Sequence, residues 1–359
     1  MTASDHPILD HADARVRLDP GGMLGAIAGM SVQCEEAWEA GQAFELPWAV
    51  APEKIVVLGL GGSAIAGDYF RVLLALESSV PVVNVRAYDL PPFVDERTLV
   101  IASSFSGDTE EVLSAFEQAL GTPARKLVMT TGGRLLTMAR ANGVPAFTFA
   151  YRGEARAAIG WGLMPLLAVA EKLGLTQGVE RDIEEAVSVL GGLREEWADA
   201  VPSSRNRAKR LALRLHERLP VVYGAGPLIE AARRWKTQLN ESAKTWAFCE
   251  EMPESQHNAI VALGLPRVVA AATTGVFLRS ATLDHPRVRL RFEFSERLLD
   301  GAGAPRETVW ASGASALAQM LSLTMLGDYM SAYLALLYGV DPTPTQVIDE
   351  LKAWLGERA

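Results

Sequence analysis

The chain has only two cysteines, Cys34 and Cys249, and no CxxC pair. Zinc ribbons and thioredoxin-type redox chemistry both use such pairs, so neither is expected, and no metal ligand set is assigned. Basic residues are also outnumbered. There are 34 Lys and Arg against 43 Asp and Glu, for a net charge of −9. A nucleic-acid binder would show a basic face or stripe, so nucleic acid is not an expected partner. An anionic small molecule is still admitted, because a pocket can be positive on an acidic protein. The N-terminal stretch MTASDHPILDHADARVRLDP carries acids early and lacks the apolar core of a signal peptide. The longest apolar run, ALAQMLSLTMLGDYMSAYLALLYGV, is broken by Gly327 and Asp328. It reads as a buried helix, not a membrane span. The expectation is a cytoplasmic protein with no membrane partner.

The chain has ample apolar residues, 49% of 359, enough for two domains of ordinary size. From position 54 strand-like and helix-like runs alternate. KIVVLGL, VPVVNVR, TLVIASSF, KLVMTT and VPAFTFA are short apolar strands, separated in part by AIAGDYFRVLLAL, EEVLSAFEQAL and RLLTMARAN. Such alternation predicts a parallel sheet covered on both faces. A helical region from 155 to about 198 follows. The pattern restarts at LPVVYGAG (219–226), with a helix over PLIEAARRWKTQLNESAK. RVVAAATT (267–274) and TVWAS (308–312) are read as further strands. Two helices close the chain, over 313–338 and about 343–357. RVRLRFEF (287–294) alternates strictly, which favours a strand, although its flanks look helical. The fold class is therefore α/β, with two doubly wound parallel-sheet units that resemble distant duplicates. The expected boundaries are a helical N-terminal extension at 1–50, a first domain at 51–152 and a helical connector at 153–204. A second domain at 205–340 and a C-terminal helix at 341–359 complete the plan. The pattern MLGAIAGMSVQCEEAWEAG in the extension is expected to pack on the first domain.

Two loops carry chemistry. VVLGLGGSAIAGD (56–68) spaces Gly59, Gly61 and Ala64 like a dinucleotide fingerprint. That reading also wants an acidic residue closing the second strand, to hold a ribose. Arg86 stands there, which at best suits NADP. The second loop, IASSFSGDTEE (101–111), places Ser104, Ser106 and Thr109 between a strand and a helix that starts near Glu110. A helix N-terminus offers free N–H groups and partial positive charge, and hydroxyls beside it add donors for phosphate oxygens. One residue suffices as an N-cap. Capping accounts for Asp108 or Thr109, and leaves Ser104 and Ser106 unexplained. Ser63, at the end of the first strand, faces the same crevice at the carboxyl ends of the strands.

GLGGSAIAGD with SFSGDTEE resembles the sugar isomerase (SIS) domain, a flavodoxin-like phosphosugar-binding unit that commonly occurs in pairs. TTGGRL (130–135), KTQLNESAK (236–244), MPESQHNAI (252–260) and GDYMSAYLALLYGVDPTPTQVIDELK (327–352) extend the resemblance to the bifunctional phosphoglucose/phosphomannose isomerases, from about 50 to 357. The resemblance implies interconversion of glucose 6-phosphate and mannose 6-phosphate with fructose 6-phosphate, without a cofactor. It implies Glu241 as the proton-transfer base and His257, 16 residues on, as the ring-opening residue. It implies Arg156 and Lys352 as further catalytic residues, and Gly62, Ser63, Ser104, Ser106, Thr109 and Thr345 as substrate-binding residues. It also implies a homodimer in which His257 is donated across the interface. Two positions depart from the family. Ala155 replaces a proline before Arg156, and Asp108 stands where Asn is frequent, close to the expected phosphate. Without the resemblance, Glu241 is an ordinary helix glutamate and Lys352 a solvated lysine. The alternatives are a phosphosugar-binding protein without catalysis, an isomerase for a different sugar phosphate, and an NADP-dependent oxidoreductase in which Ser104 and Ser106 have no task.

Overall fold

A computed structural model describes residues 7–358 of the chain, with the side chain of Pro7 left aside. His6, one of five histidines, lies outside the described residues. The elements begin with four helices, α1 (Pro7–Asp10), α2 (Ala12–Leu18), α3 (Met23–Ala28) and α4 (Met30–Ala43). The first sheet region follows as β1 (Lys54–Leu58), α5 (Gly61–Leu74), β2 (Val82–Val85), β3 (Thr98–Ser103), α6 (Glu110–Leu120), β4 (Arg125–Thr130), α7 (Gly133–Ala141) and β5 (Ala146–Thr148). Helices α8 (Ile159–Lys172), α9 (Val179–Trp197) and α10 (Arg207–Leu215) lead to the second. That region comprises β6 (Leu219–Ala225), α11 (Leu228–Glu241), β7 (Phe248–Met252), α12 (Arg267–Ala272), β8 (Thr273–Arg279), α13 (Pro286–Gly301) and β9 (Arg306–Trp310). Helices α14 (Ala316–Leu337) and α15 (Gln346–Gly356) end the chain.

Two compact units result. One is Gly29–Gly191 with Ser312–Leu321; the other holds the described residues through Ala28, Gly192–Ala311 and Ser322 onward. The first unit carries a five-stranded parallel sheet of order β2-β1-β3-β4-β5. In this doubly wound order the chain reverses direction between β1 and β3, and a crevice opens there at the strand ends. Alternate residues of the central strands point to opposite faces. Val56, Leu58, Val100 and Ala102 pack with Phe116 of α6 and Leu135 of α7. On the other face α5 approaches closely. A Cβ on Gly67 would lie 3.1 Å from Val57 Cγ1. Helix α4 lies on α8, where Gly41 and Gly160 let the two backbones meet. Gln33 Oε1 accepts from Gly160 N at 2.6 Å, and Gln33 Nε2 donates to Ala157 O at 2.9 Å. Cys34 is enclosed in this contact, and burial pushes its thiol up to about 12. Cys249, in the other unit, is also raised by burial. Neither thiol is a nucleophile near neutrality.

The second unit has a four-stranded parallel sheet of order β7-β6-β8-β9, which repeats the order of the first four strands of the other sheet. Two segments differ from the sequence reading, and a third that the pattern left open, RVRLRFEF, is settled. RVVAAATT is not one strand: its first six residues, RVVAAA, form α12, and the strand starts at Thr273 and runs through TTGVFLR. RVRLRFEF is not a strand but part of α13, which starts with Pro286 in its first turn and a His285 side-chain cap. Its buried residues Phe292, Ser295 and Leu299 fall at helical spacing, and Phe292 stands edge-on to Phe277 of β8. β7, FCEEM, was not anticipated; it is an edge strand with two charged residues.

Helix α14 is long and apolar enough to cross a membrane, yet its most apolar window is wholly buried. The two residues that interrupt its apolar run show why. Gly327 makes room for Trp235 of α11: a Cβ there would fall 2.4 Å from the indole nitrogen. That nitrogen donates to Leu323 O at 2.7 Å. Asp328 forms a two-bond ion pair with Arg234, at 3.1 and 2.6 Å, with both side chains buried. Removing one partner of such a pair costs about 3–5 kcal/mol. The pair thus ties α11, the helix that carries Glu241, to α14.

Candidate active site

In the first unit, α5 and α6 both begin at the carboxyl edge of the sheet, on neighbouring strands β1 and β3. Neither helix start has a side-chain cap: Leu60 precedes α5, and Thr109 precedes α6 without bonding to its amides. Two uncapped N-termini thus meet at a switch point, where sheets of this order usually take ligands. Gly62 and Ser63 lie in the first turn of α5, so Ser63 is a helix residue and not the last residue of the strand. The strand ends are close together. A Cβ on Gly59 would sit 3.4 Å from Ser103 O and 3.4 Å from the Ser63 carbonyl carbon.

The hydroxyl loop is folded on itself. Ser104 is buried, with its Oγ 2.8 Å from Thr109 Oγ1 and accepting from Gly107 N at 3.1 Å. Ser106 is exposed and its Oγ accepts from Asp108 N at 3.2 Å. Ser104 therefore braces the loop, while Ser106 stands at its surface. Gly107 has φ +75°, and a Cβ there would overlap Gly132 O. Gly107 O accepts from Leu135 N at 2.8 Å, and Thr131 Oγ1 donates to Phe105 O at 2.7 Å. TTGGRL thus acts as the bed on which the hydroxyl loop rests. Asp108 does not cap α6 either. Its Oδ1 accepts from Arg134 N at 3.0 Å, in the first turn of α7.

Arg156 is buried in a short 3-10 turn, Ala155–Ala157, and pairs with Glu154 at 3.3 Å. The turn touches the glycine loop: a Cβ on Gly62 would be 2.8 Å from Ala155 O and 3.2 Å from Arg156 N. Gly62 thereby sets the start of α5 directly against the arginine segment. Gln33 and Tyr151, at 2.9 and 3.3 Å, both donate to Ala157 O and hold the turn from outside. Neither was a sequence candidate. Arg86 is committed elsewhere, paired with the buried carboxylate of Asp68, which also accepts from Asn84 at 2.7 Å. That ion pair leaves the NADP reading without its expected 2′-phosphate ligand.

In the second unit, Glu241 is the last residue of α11 and half-buried. His257 is exposed, at the end of a 3-10 turn that follows β7. Gln256 fixes that turn on α13, donating to Arg291 O at 2.7 Å and Ser295 Oγ at 2.8 Å. α11 leaves the carboxyl end of β6 and runs back for 14 residues, about 21 Å of helix. Glu241 therefore lies at the opposite edge of this sheet from His257. Thr345 is half-buried and precedes α15, and Lys352 is exposed on that helix, 3.9 Å from Asp349. Lys244 Nζ donates to Glu241 O and, at 2.7 Å, to Pro344 O, so Glu241 and the residue before Thr345 share one ligand. The structure thus brings together Gly62, Ser63 and Arg156, then Ser104, Ser106 and Thr109, then Glu241 and Thr345; His257 stands apart from Glu241. Among the described residues, no three His, Cys, Asp or Glu side chains gather as a metal site.

The sheet order defines a class: a doubly wound α/β protein of two parallel-sheet units. The family described as the bacterial phospho-glucose isomerase C-terminal SIS domain matches residues 204–355. A bifunctional phosphoglucose/phosphomannose isomerase of Caldicellulosiruptor bescii is 40% identical over 337 residues, covering 93% of this chain and 99% of that protein. One of Aquifex aeolicus is 33% identical, covering 85% and 91%. The chain belongs to the bifunctional phosphoglucose/phosphomannose isomerase family. Among solved structures, a hypothetical protein of Thermus thermophilus shares the fold at a TM-score of 0.72 and 20% identity, covering 98% of this chain and 94% of that one.

Proposed function

We propose that this chain is an aldose–ketose isomerase that interconverts glucose 6-phosphate and mannose 6-phosphate with fructose 6-phosphate, without nucleotide or metal. The observation that carries the reading is kinship with isomerases of that name over nearly the whole chain. The phosphate binds at the starts of α5 and α6, where uncapped amides, Ser63, Ser106 and the Ser104–Thr109 pair supply donors. His257 moves a proton between the ring oxygen and the anomeric hydroxyl to open the ring; an imidazole suits that task near neutrality. The Glu241 carboxylate then takes the proton from C2 of the open aldose and returns it to C1, through a cis-enediol. Arg156 stabilises the enediolate as charge develops on oxygen, and Lys352 adds positive charge from α15. Thr345 stands near C2, the single centre at which the two aldoses differ.

The active form is a homodimer of the cytoplasm in which His257 serves the partner's Glu241. The separation of the two residues by the width of a sheet, and the exposure of His257, support this arrangement. A coupled assay on EDTA-treated protein tests the reading. Fructose 6-phosphate should form from both aldose phosphates. No product from either would overturn it in favour of a phosphosugar-binding protein without catalysis, and turnover of another sugar phosphate alone would point to a different isomerase.

A further inference from the structure

Lys244 ends the segment NESAK and adopts φ +56°, in the left-handed region. That conformation is common just past a helix end, but it is normally taken by glycine or asparagine, because a Cβ crowds the following carbonyl. The turn is closed by Thr245 N, which returns to Leu239 O at 3.1 Å, and by Asn240 Nδ2, which donates to Thr245 O at 2.8 Å. The backbone there would favour glycine, and the chain has a lysine instead.

The side chain explains the choice. Its ammonium donates to Glu241 O, the last carbonyl of α11, to Pro344 O at 2.7 Å and, more weakly, to Pro342 O at 3.4 Å. Pro344 precedes Thr345, the residue that introduces α15. An ammonium has three donors and no acceptor, so it can hold all three carbonyls at once. A cation at a helix C-terminus is also favoured by the helix dipole. One side chain therefore fixes the backbone of Glu241 against the backbone next to Thr345.

We infer that Lys244 is a positioning residue. It sets the Glu241 carboxylate in register with the Thr345 segment that passes C2 of the sugar, and so affects both the proton transfer and the balance between the two aldoses. The inference rests on the isomerase reading above. It predicts a separation of stability from activity. In Lys244→Gly the backbone strain disappears while the clamp is lost. The melting temperature should stay within a few degrees of the unsubstituted protein, as a relieved left-handed position offsets the lost bonds. kcat should fall on the order of ten- to hundredfold, the scale of a small misplacement of a reacting group. KM should change little, because the phosphate loops are untouched. The ratio of glucose to mannose turnover should shift, and Lys244→Arg, which keeps a cation of similar reach, should recover part of kcat.

Unchanged kcat and unchanged substrate ratio in Lys244→Gly would overturn the inference. So would a kcat loss matched by a large drop in melting temperature in Lys244→Gly, since that describes a structural lysine. No turnover of either aldose phosphate by the unsubstituted chain would instead refute the isomerase reading beneath it.

Discussion

Asp108 Oδ1 accepts the backbone N–H of Arg134 at 3.0 Å, so the one carboxylate in the hydroxyl loop is the cap of the neighbouring helix, α7. It is also what holds the β3–α6 loop against the β4–α7 loop, together with Gly107 and Gly133. A Cβ on Gly133 would meet Ser106 O at 2.4 Å. The family's frequent Asn could make the same bond without the charge. Asp108→Asn should keep the melting temperature and lower KM for glucose 6-phosphate, because a negative charge leaves the phosphate crevice. Asp108→Ala should lose about 1 kcal/mol of stability, the usual worth of a cap. Thermal unfolding and initial rates check both; a KM that rises in Asp108→Asn would place the phosphate elsewhere.

Ser104 and Ser106 should separate in the same assays. Ser104 is buried and bonded to Thr109 and Gly107. Ser104→Ala should cost about 1–3 kcal/mol, because it leaves buried groups unpaired. It should raise KM as well, because the loop loses its brace. Ser106 is exposed, so Ser106→Ala should change stability by less than about 0.5 kcal/mol. It should raise KM all the same. An unchanged KM in both variants would move the phosphate site off this loop.

The first sheet was legible because its strands are short, continuous apolar runs between glycine-marked turns, and because parallel strands buried on both faces must look that way. The second sheet was less so. In α13, arginine and glutamate alternate with apolar residues by chance at period two, and the helical stripe of Phe292, Ser295 and Leu299 contains a serine, which hides it. Pro286 at the helix start was the available signal. β7 escaped because an edge strand can carry Glu250 and Glu251. The candidate site residues were legible as motifs, but the contacts that support them were not. Gln33 holds the Arg156 turn from more than 120 positions away, and no spacing in the sequence encodes that contact. Asp108 was recognisable as a capping residue, yet only the fold reveals that it caps α7 and not α6.

Glu185 gives the fold an acid-sensitive joint. Burial works to raise its pKa, but the backbone bond from Ala314, the side-chain and backbone bonds from Ser315 and the charge of Arg181 together outweigh that and hold it below the ordinary value of 4.5. A depressed carboxylate stabilises the native state above its unfolded pKa, and that stability is lost as pH falls through the folded value. Glu185→Gln should therefore be less stable than the unsubstituted chain at pH 7. The difference should shrink as pH drops below about 4.5. Urea midpoints at several pH values measure it, and a gap that stays constant down to pH 3 would rule out the carboxylate as its source.

The placement of Glu241 and His257 at opposite edges of one sheet makes a prediction about mixed dimers. Glu241→Gln and His257→Gln should each be nearly inactive alone, since in the proposed mechanism one loses the proton-transfer base and the other the ring-opening group. In the proposed two-fold dimer each site takes its glutamate from one chain and its histidine from the other. A dimer of one Glu241→Gln chain with one His257→Gln chain then has one site with both defects and one with neither. Random re-pairing of equal amounts makes about half the dimers mixed, so activity should return to about a quarter of the unsubstituted level. If both residues came from the same chain, every site in the mixture would keep one defect and no activity would return. Unfolding the two variants together, refolding them and assaying the mixture decides between these outcomes, with the separately refolded variants as the baseline.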